Sequence, residues 1–135
     1  MLNVFPGLLL PFLAPTILRV VIGLVFIGLG IRTWRHAQRL ANVEVPVVGS
    51  RAWVPYLAAF FEITLGLMFI AGWYTQVAAL IGALGTIKYA VYYKWWPHML
   101  EKFYPISPLA AGLMGAICFS LLISGAGAFA RDLPL

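Results

Sequence analysis

Charge is scarce in this chain. Its 135 residues hold nine Lys and Arg, four Asp and Glu, and two His, so only 10% are charged. A soluble domain carries about 25% charged and about 45–50% apolar residues. Here 63% are hydrophobic, and the mean hydropathy is +0.96. So few ionic groups cannot clothe a water-soluble fold of this size, and lipid must cover part of it. Cysteine is nearly absent as well. The single Cys118, set in an apolar stretch, excludes an intramolecular disulfide and any Cys-x-x-Cys motif. It reads as a small packing residue. His36 and His98 have no third metal ligand at a recognisable spacing and read as ordinary loop histidines, so no metal site is expected. No paired histidines lie within the apolar runs to hold haem. No Ser/His/Asp arrangement, phosphate loop or dinucleotide fingerprint is present, so no catalytic residue is assigned.

Repeats and low-complexity tracts are absent too. The first 15 residues contain no basic residue, and Pro6, Pro11 and Pro15 interrupt their apolar run. That is not the pattern of a signal peptide, and the segment is expected to be retained. The net charge of +5 would hint at nucleic acid in a soluble protein. Beside a membrane, basic loops face anionic lipid and set topology, so membrane lipids are the expected partner and nucleic acid is not.

What the chain has in abundance is long apolar runs. A transmembrane helix needs about 20 mostly apolar residues. Four such spans are predicted over residues 15–33, 53–73, 76–96 and 108–129, giving an all-α fold: one integral membrane four-helix bundle occupying residues 1–135. Pro15 suits the first turn of the first span, where a missing N–H costs nothing. Residues 32–51 are polar, and Pro46, Gly49 and Ser50 mark the second half as loop. The short uncharged link from Gly72 to Gln76 implies an antiparallel pair of neighbouring helices. Tyr92, Tyr93, Trp95 and Trp96 cluster as an interfacial aromatic belt does. Arg32, Arg35, Arg39, Arg51, Lys94 and Lys102 all fall on one side, against Arg131 on the other. The positive-inside rule then places loops 34–52 and 97–107 in the cytoplasm and both termini outside. The expected location is a bacterial or archaeal cell membrane.

Three ionisable residues lie inside the spans: Arg19, Glu62 and Lys88. Each costs roughly 2.5–3.5 kcal/mol at the membrane centre on insertion scales, so each is expected to face the bundle interior. Glu62 and Lys88 lie about 13 Å and about 10 Å above the same edge, which suits a pair between the second and third helices. Arg19 sits nearer the opposite end, where it reaches Glu62 or snorkels to water. Helical spacing predicts interior stripes of Arg19, Gly23, Phe26 and Gly30; of Ala58, Ala59, Glu62 and Gly66; of Gly85, Lys88, Tyr92 and Trp95; and of Gly112, Gly115 and Phe119. The trio is either a buried ion network that fixes helix register or a site for an anion, a quinone oxygen or a lipid headgroup. Tyr89 and Tyr92 are candidate lining residues, although aromatics in this cluster also read as belt.

The run Leu18-Arg19-Val20-Val21-Ile22-Gly23-Leu24-Val25-Phe26, the pair Gly30 and Arg32, the stretch from Glu62 to Gly66 and the link from Gly72 to Gln76 resemble the DoxX-like membrane family. The end from Gly125 to Asp132 resembles that family's carboxyl-terminal motif. Gln76, Ala128 and Ala130 depart from its pattern. The resemblance implies a four-helix membrane bundle associated with membrane redox complexes, as an accessory subunit beside a quinone-linked partner. The chain has no haem, iron–sulfur or flavin signature, so no cofactor of its own is expected and catalysis would belong to a partner chain. Alternatives are a stand-alone binding or transport protein for a small anion, lipid or quinone, functioning as a homo-oligomer, and a membrane assembly factor.

Overall fold

The structure, a computed structural model, describes residues 10–41, 53–95 and 106–125. They form four helices and no strand: α1 (Leu10–Ala41), α2 (Val54–Ala71), α3 (Thr75–Trp95) and α4 (Pro108–Ser124).

The first helix is longer at both ends than the predicted span 15–33. It starts at Leu10, not near Pro15, and Pro15 lies inside it. Pro11 falls in the first turn, where it costs no hydrogen bond, and Pro15 then removes a single backbone bond without stopping the helix. At the other end, residues 34–41 are helix rather than loop. These residues are polar but include no helix breaker. Thr33 and Ala37 are buried and continue the inward stripe set by Gly30. The resulting 32 residues span about 48 Å, well beyond a hydrocarbon core of about 30 Å.

α2 ends at Gly72, whose left-handed backbone (φ 66°) lets the N–H groups of Gly72 and Trp73 turn back onto Phe69 O and Met68 O. Three residues later α3 begins, so α2 and α3 are antiparallel. α4 starts at Ser107, whose hydroxyl accepts from Ala110 N at 3.1 Å. It stops at Ser124, where Gly125 (φ 76°) donates to Leu121 O, five residues short of the predicted end. The 1–9 segment, most of both basic loops, His98, Trp96 and the motif from Ala126 to Asp132 lie outside the described residues.

The helices pack as two intimate antiparallel pairs, α1 with α2 and α3 with α4. Between α1 and α2 the backbones themselves touch. A Cβ on Gly66 would lie 2.6 Å from Gly23 O, and one on Gly30 would lie 2.9 Å from Ala59 O. Small residues permit this approach. The core joins the pairs through Ile22, Phe26, Leu65, Phe69, Cys118 and Leu121, with the Phe26 and Phe69 rings stacked at 5.9 Å.

The inward stripes of α1 and α2 fall where spacing predicts, through Gly23, Phe26, Gly30, Ala59, Glu62 and Gly66. Those of α3 and α4 are rotated. α3 buries Ala78, Ala79, Gly82, Thr86 and Tyr89, and leaves Trp95 exposed. α4 buries Ala111, Met114, Cys118 and Leu121, and leaves Gly112 and Phe119 exposed. Gly85 and Gly112 face open space, so they are not the points of close contact.

α1 and α2 are each long and apolar enough to cross a membrane. α4 is apolar but has 17 residues, and α3 is long enough but carries Gln76, Lys88, Lys94 and several tyrosines.

Candidate functional site: a buried carboxylate where three helices meet

Glu62 stands in the middle of α2, on the face that α1 and α3 enclose, and is 8% exposed. Its two oxygens meet different helices. Oε2 accepts from the Thr33 hydroxyl on α1 at 2.9 Å. Oε1 accepts from the Tyr89 hydroxyl on α3 at 2.5 Å and lies 3.6 Å from Lys88 Nζ on the same helix. Thr33 Oγ1 is also 2.9 Å from Leu29 O, one turn back along its own helix. A carboxylate away from water is costly unless its lone pairs are met by donors. Two hydroxyls and an ammonium meet them here.

The two partners on α3 arrive differently. Tyr89 is on the buried face and approaches directly. Lys88, its chain neighbour, leaves the helix about 100° away and reaches round with its four-carbon stem. Its ammonium lies 4.9 Å from the centre of the Tyr89 ring. The Lys88 side chain remains 41% exposed, against 9% for that of Glu62. The cluster therefore has a closed side, at Thr33 and Tyr89, and an open side, at Lys88.

Arg19 is not part of this group. It is buried, at 2% exposure, on the same stripe of α1 as Thr33. Fourteen residues separate the two, which is about 21 Å along the helix. Gly23, one turn from Arg19, faces Phe69 and Ile70 near the end of α2. Arg19 therefore sits at the level of the α2–α3 turn, well away from Glu62 in the middle of α2. Of the residues singled out by sequence, Glu62, Lys88 and Tyr89 come together and Arg19 does not. The Tyr92 side chain lies outside the described residues. Thr33 was missed, although it extends the Arg19, Gly23, Phe26, Gly30 spacing by one further step of three. Among the described residues, no three of His, Cys, Asp and Glu gather as metal ligands do.

A protein-family model, DoxX, matches residues 14–95. The chain belongs to the DoxX family. This makes it a DoxX-family membrane protein, and the match contains every residue of the Glu62 cluster as well as Arg19. α4 lies beyond the match, as does the tail from Gly125. No curated protein and no solved structure matches the chain.

Proposed function

We propose that this DoxX-family protein crosses the membrane four times as a four-helix bundle and acts as a non-catalytic accessory subunit of a membrane redox or quinone-linked complex. Its termini lie outside, and the end bearing Arg32, Arg35, Arg39 and Lys94 lies in the cytoplasm. The observation that carries this reading is the division of chemistry between inside and outside. The one carboxylate among the described residues is committed to neighbours within the bundle. The outer surface is apolar and broad. Phe60 and Phe61, edge to face on α2, are 58% and 66% exposed, and Leu67, Leu84, Leu113 and Ile123 also point outward. Such a molecule offers helix faces to other helices and keeps its buried carboxylate for its own register. The redox association comes from the family resemblance, a fold-level analogy.

The test is extraction in mild detergent followed by native mass spectrometry with lipid and quinone analysis. Co-migration with a redox protein in fixed stoichiometry supports the subunit reading. A chain that runs alone or as a homo-oligomer, from cells expressing it at native levels, overturns it.

A second reading has one specific observation behind it: the exposed flank of Lys88. A quinone carbonyl, a small anion or a lipid headgroup oxygen needs a donor, and this ammonium keeps free surface beside the buried carboxylate. Tyr89 is already spent on Glu62, so the residues fit such a ligand with one donor rather than a full set. Replacing Lys88 by Gln tests this reading. Loss of a retained small molecule with unchanged thermal stability favours it, and loss of stability alone favours the structural role.

A further inference from the structure

We propose that the outward face of the end of α1, formed by Arg32, Arg35 and Arg39, binds the phosphodiester headgroups of anionic phospholipids. The inference rests on the membrane character of the protein and not on the accessory-subunit reading.

α1 presents one continuous stripe away from the bundle. At about 100° per residue, Ile17, Val21, Leu24 and Gly28 follow one another on it, and Arg32, Arg35 and Arg39 continue it. The first part is apolar and exposed, and the second is cationic and exposed. The three arginines lie within about 60° of one another, opposite the buried Thr33 and Ala37. A single helix face that changes from aliphatic to guanidinium within one turn marks the border between hydrocarbon and headgroups.

The depth of the stripe agrees. Trp34, half-exposed, meets Tyr56 edge to face at 5.3 Å, so the Trp34 level is the level of the first turn of α2. Trp53 and Trp95 are exposed at the same end. Amphipathic rings concentrate at the membrane–water interface. From that level, α1 continues to Ala41. Arg32 to Arg39 covers about 10 Å of rise, comparable with the roughly 5–8 Å headgroup layer plus the reach of an arginine.

The charges are uncompensated among the described residues. Glu62 is the sole acidic residue there, and it faces inward to Thr33, Tyr89 and Lys88. His36 folds back, with Nδ1 3.0 Å from Arg32 O, and so leaves the arginine face clear. Gly28, one turn below Arg32, meets nothing within 4 Å of where a Cβ would stand, so the helix surface is flat where an acyl chain would descend from a bound headgroup. Guanidinium groups suit this ligand because their planar fork donates to two phosphate oxygens at once. The opposite end of the bundle differs. There Trp73 and Tyr74 stack without an exposed basic residue beside them among the described positions.

The experiment uses the full chain in detergent, doped with equal amounts of phosphatidylglycerol and phosphatidylcholine, with bound lipid counted by native mass spectrometry. Wild-type protein should retain phosphatidylglycerol in preference. About 1 kcal/mol per basic residue near an anionic surface corresponds to roughly fivefold in binding. R32Q/R35Q/R39Q should then weaken phosphatidylglycerol binding on the order of a hundredfold, with phosphatidylcholine unaffected and helix content by circular dichroism unchanged. R32K/R35K/R39K, which keeps the charge and tests folding, should lose only part of the preference. Equal retention of both lipids by wild type overturns the proposal, and so does a preference that survives the triple Gln substitution. Displacement of the lipid by millimolar inorganic phosphate would make the face a site for free anions, which also overturns it.

Discussion

The two helix pairs of this bundle are held by different kinds of contact. Between α1 and α2, glycine lets main chain meet main chain, and the atoms facing Gly23, Gly30 and Gly66 include carbonyl oxygens of the opposite helix at under 3 Å from where a Cβ would stand. Between α3 and α4, the closest atoms are side chains: Cys118 Sγ faces Gly82 at 3.0 Å, and Thr86 Oγ1 faces Gly115 at 3.1 Å. Side chains can turn aside, whereas two packed backbones cannot move apart without separating the helices. The same residue type is thus indispensable in one pair and adjustable in the other. The Glu62 cluster links the pairs, because it ties α1 and α2 to α3 through one carboxyl group.

The sharpest way to break this contrast is Gly66→Val. Its Cβ would stand 2.6 Å from both Gly23 O and Ile27 Cγ1. Overpacking costs about 1–3 kcal/mol when side chains can shift, and more when backbone must. The α1–α2 pair should fail to close, seen as loss of the monodisperse peak on size exclusion in detergent. Gly115→Val, placed in the other pair, should still fold, with a lowered melting temperature. If the two variants behave alike, the contrast is wrong.

Glu62→Ala comes next. It leaves Thr33, Tyr89 and Lys88 without their shared acceptor. Breaking a buried pair costs about 3–5 kcal/mol, and the half-exposed Lys88 puts this case at the low end, about 3 kcal/mol. Glu62→Gln keeps an oxygen acceptor and should recover a clear part of the loss in thermal melts. Smaller effects are expected from Tyr89→Phe and Thr33→Val, about 0.6–1.5 kcal/mol each, in the range of hydrogen bonds between membrane helices. Thr33→Val should be the milder of the two, because Thr33 already shares its hydroxyl with Leu29 O. The smallest effect belongs to Gly85→Ala and Gly112→Ala. Both positions face open space, and alanine favours helix by up to about 1 kcal/mol. These variants should melt at or slightly above the wild-type temperature.

Much of this was readable from residue order. Two glycines four residues from a buried charge, Gly23 after Arg19 and Gly66 after Glu62, marked the inner faces of α1 and α2 because charge and small size there serve the same contact. On α3 the markers parted company. Lys88 advertises a face, but its stem is long enough to reach Glu62 from the side, so the buried face lies one position on, at Tyr89. On α4 Gly115 does meet α3, at Thr86, but Gly112 faces open space, and Met114 and Cys118 supply the buried face instead. The end of α1 departs from its local pattern for a related reason. Polar arginines suggest a loop there, yet every third or fourth residue among them, Thr33 and Ala37, is buried.

The sequence by itself determined that this chain is helical, apolar, basic at one end and a DoxX-family membrane protein. Those properties follow from composition, from hydropathy and from short motifs, each of which acts within a few residues. Only the tertiary structure decided that Arg19 stays apart from Glu62, that Thr33 completes the carboxylate's partners, and which glycines are in contact. These depend on the rotation and axial offset of one helix against another. A few ångströms of slide change every partner without changing any local pattern, so no stretch of chain read alone records them.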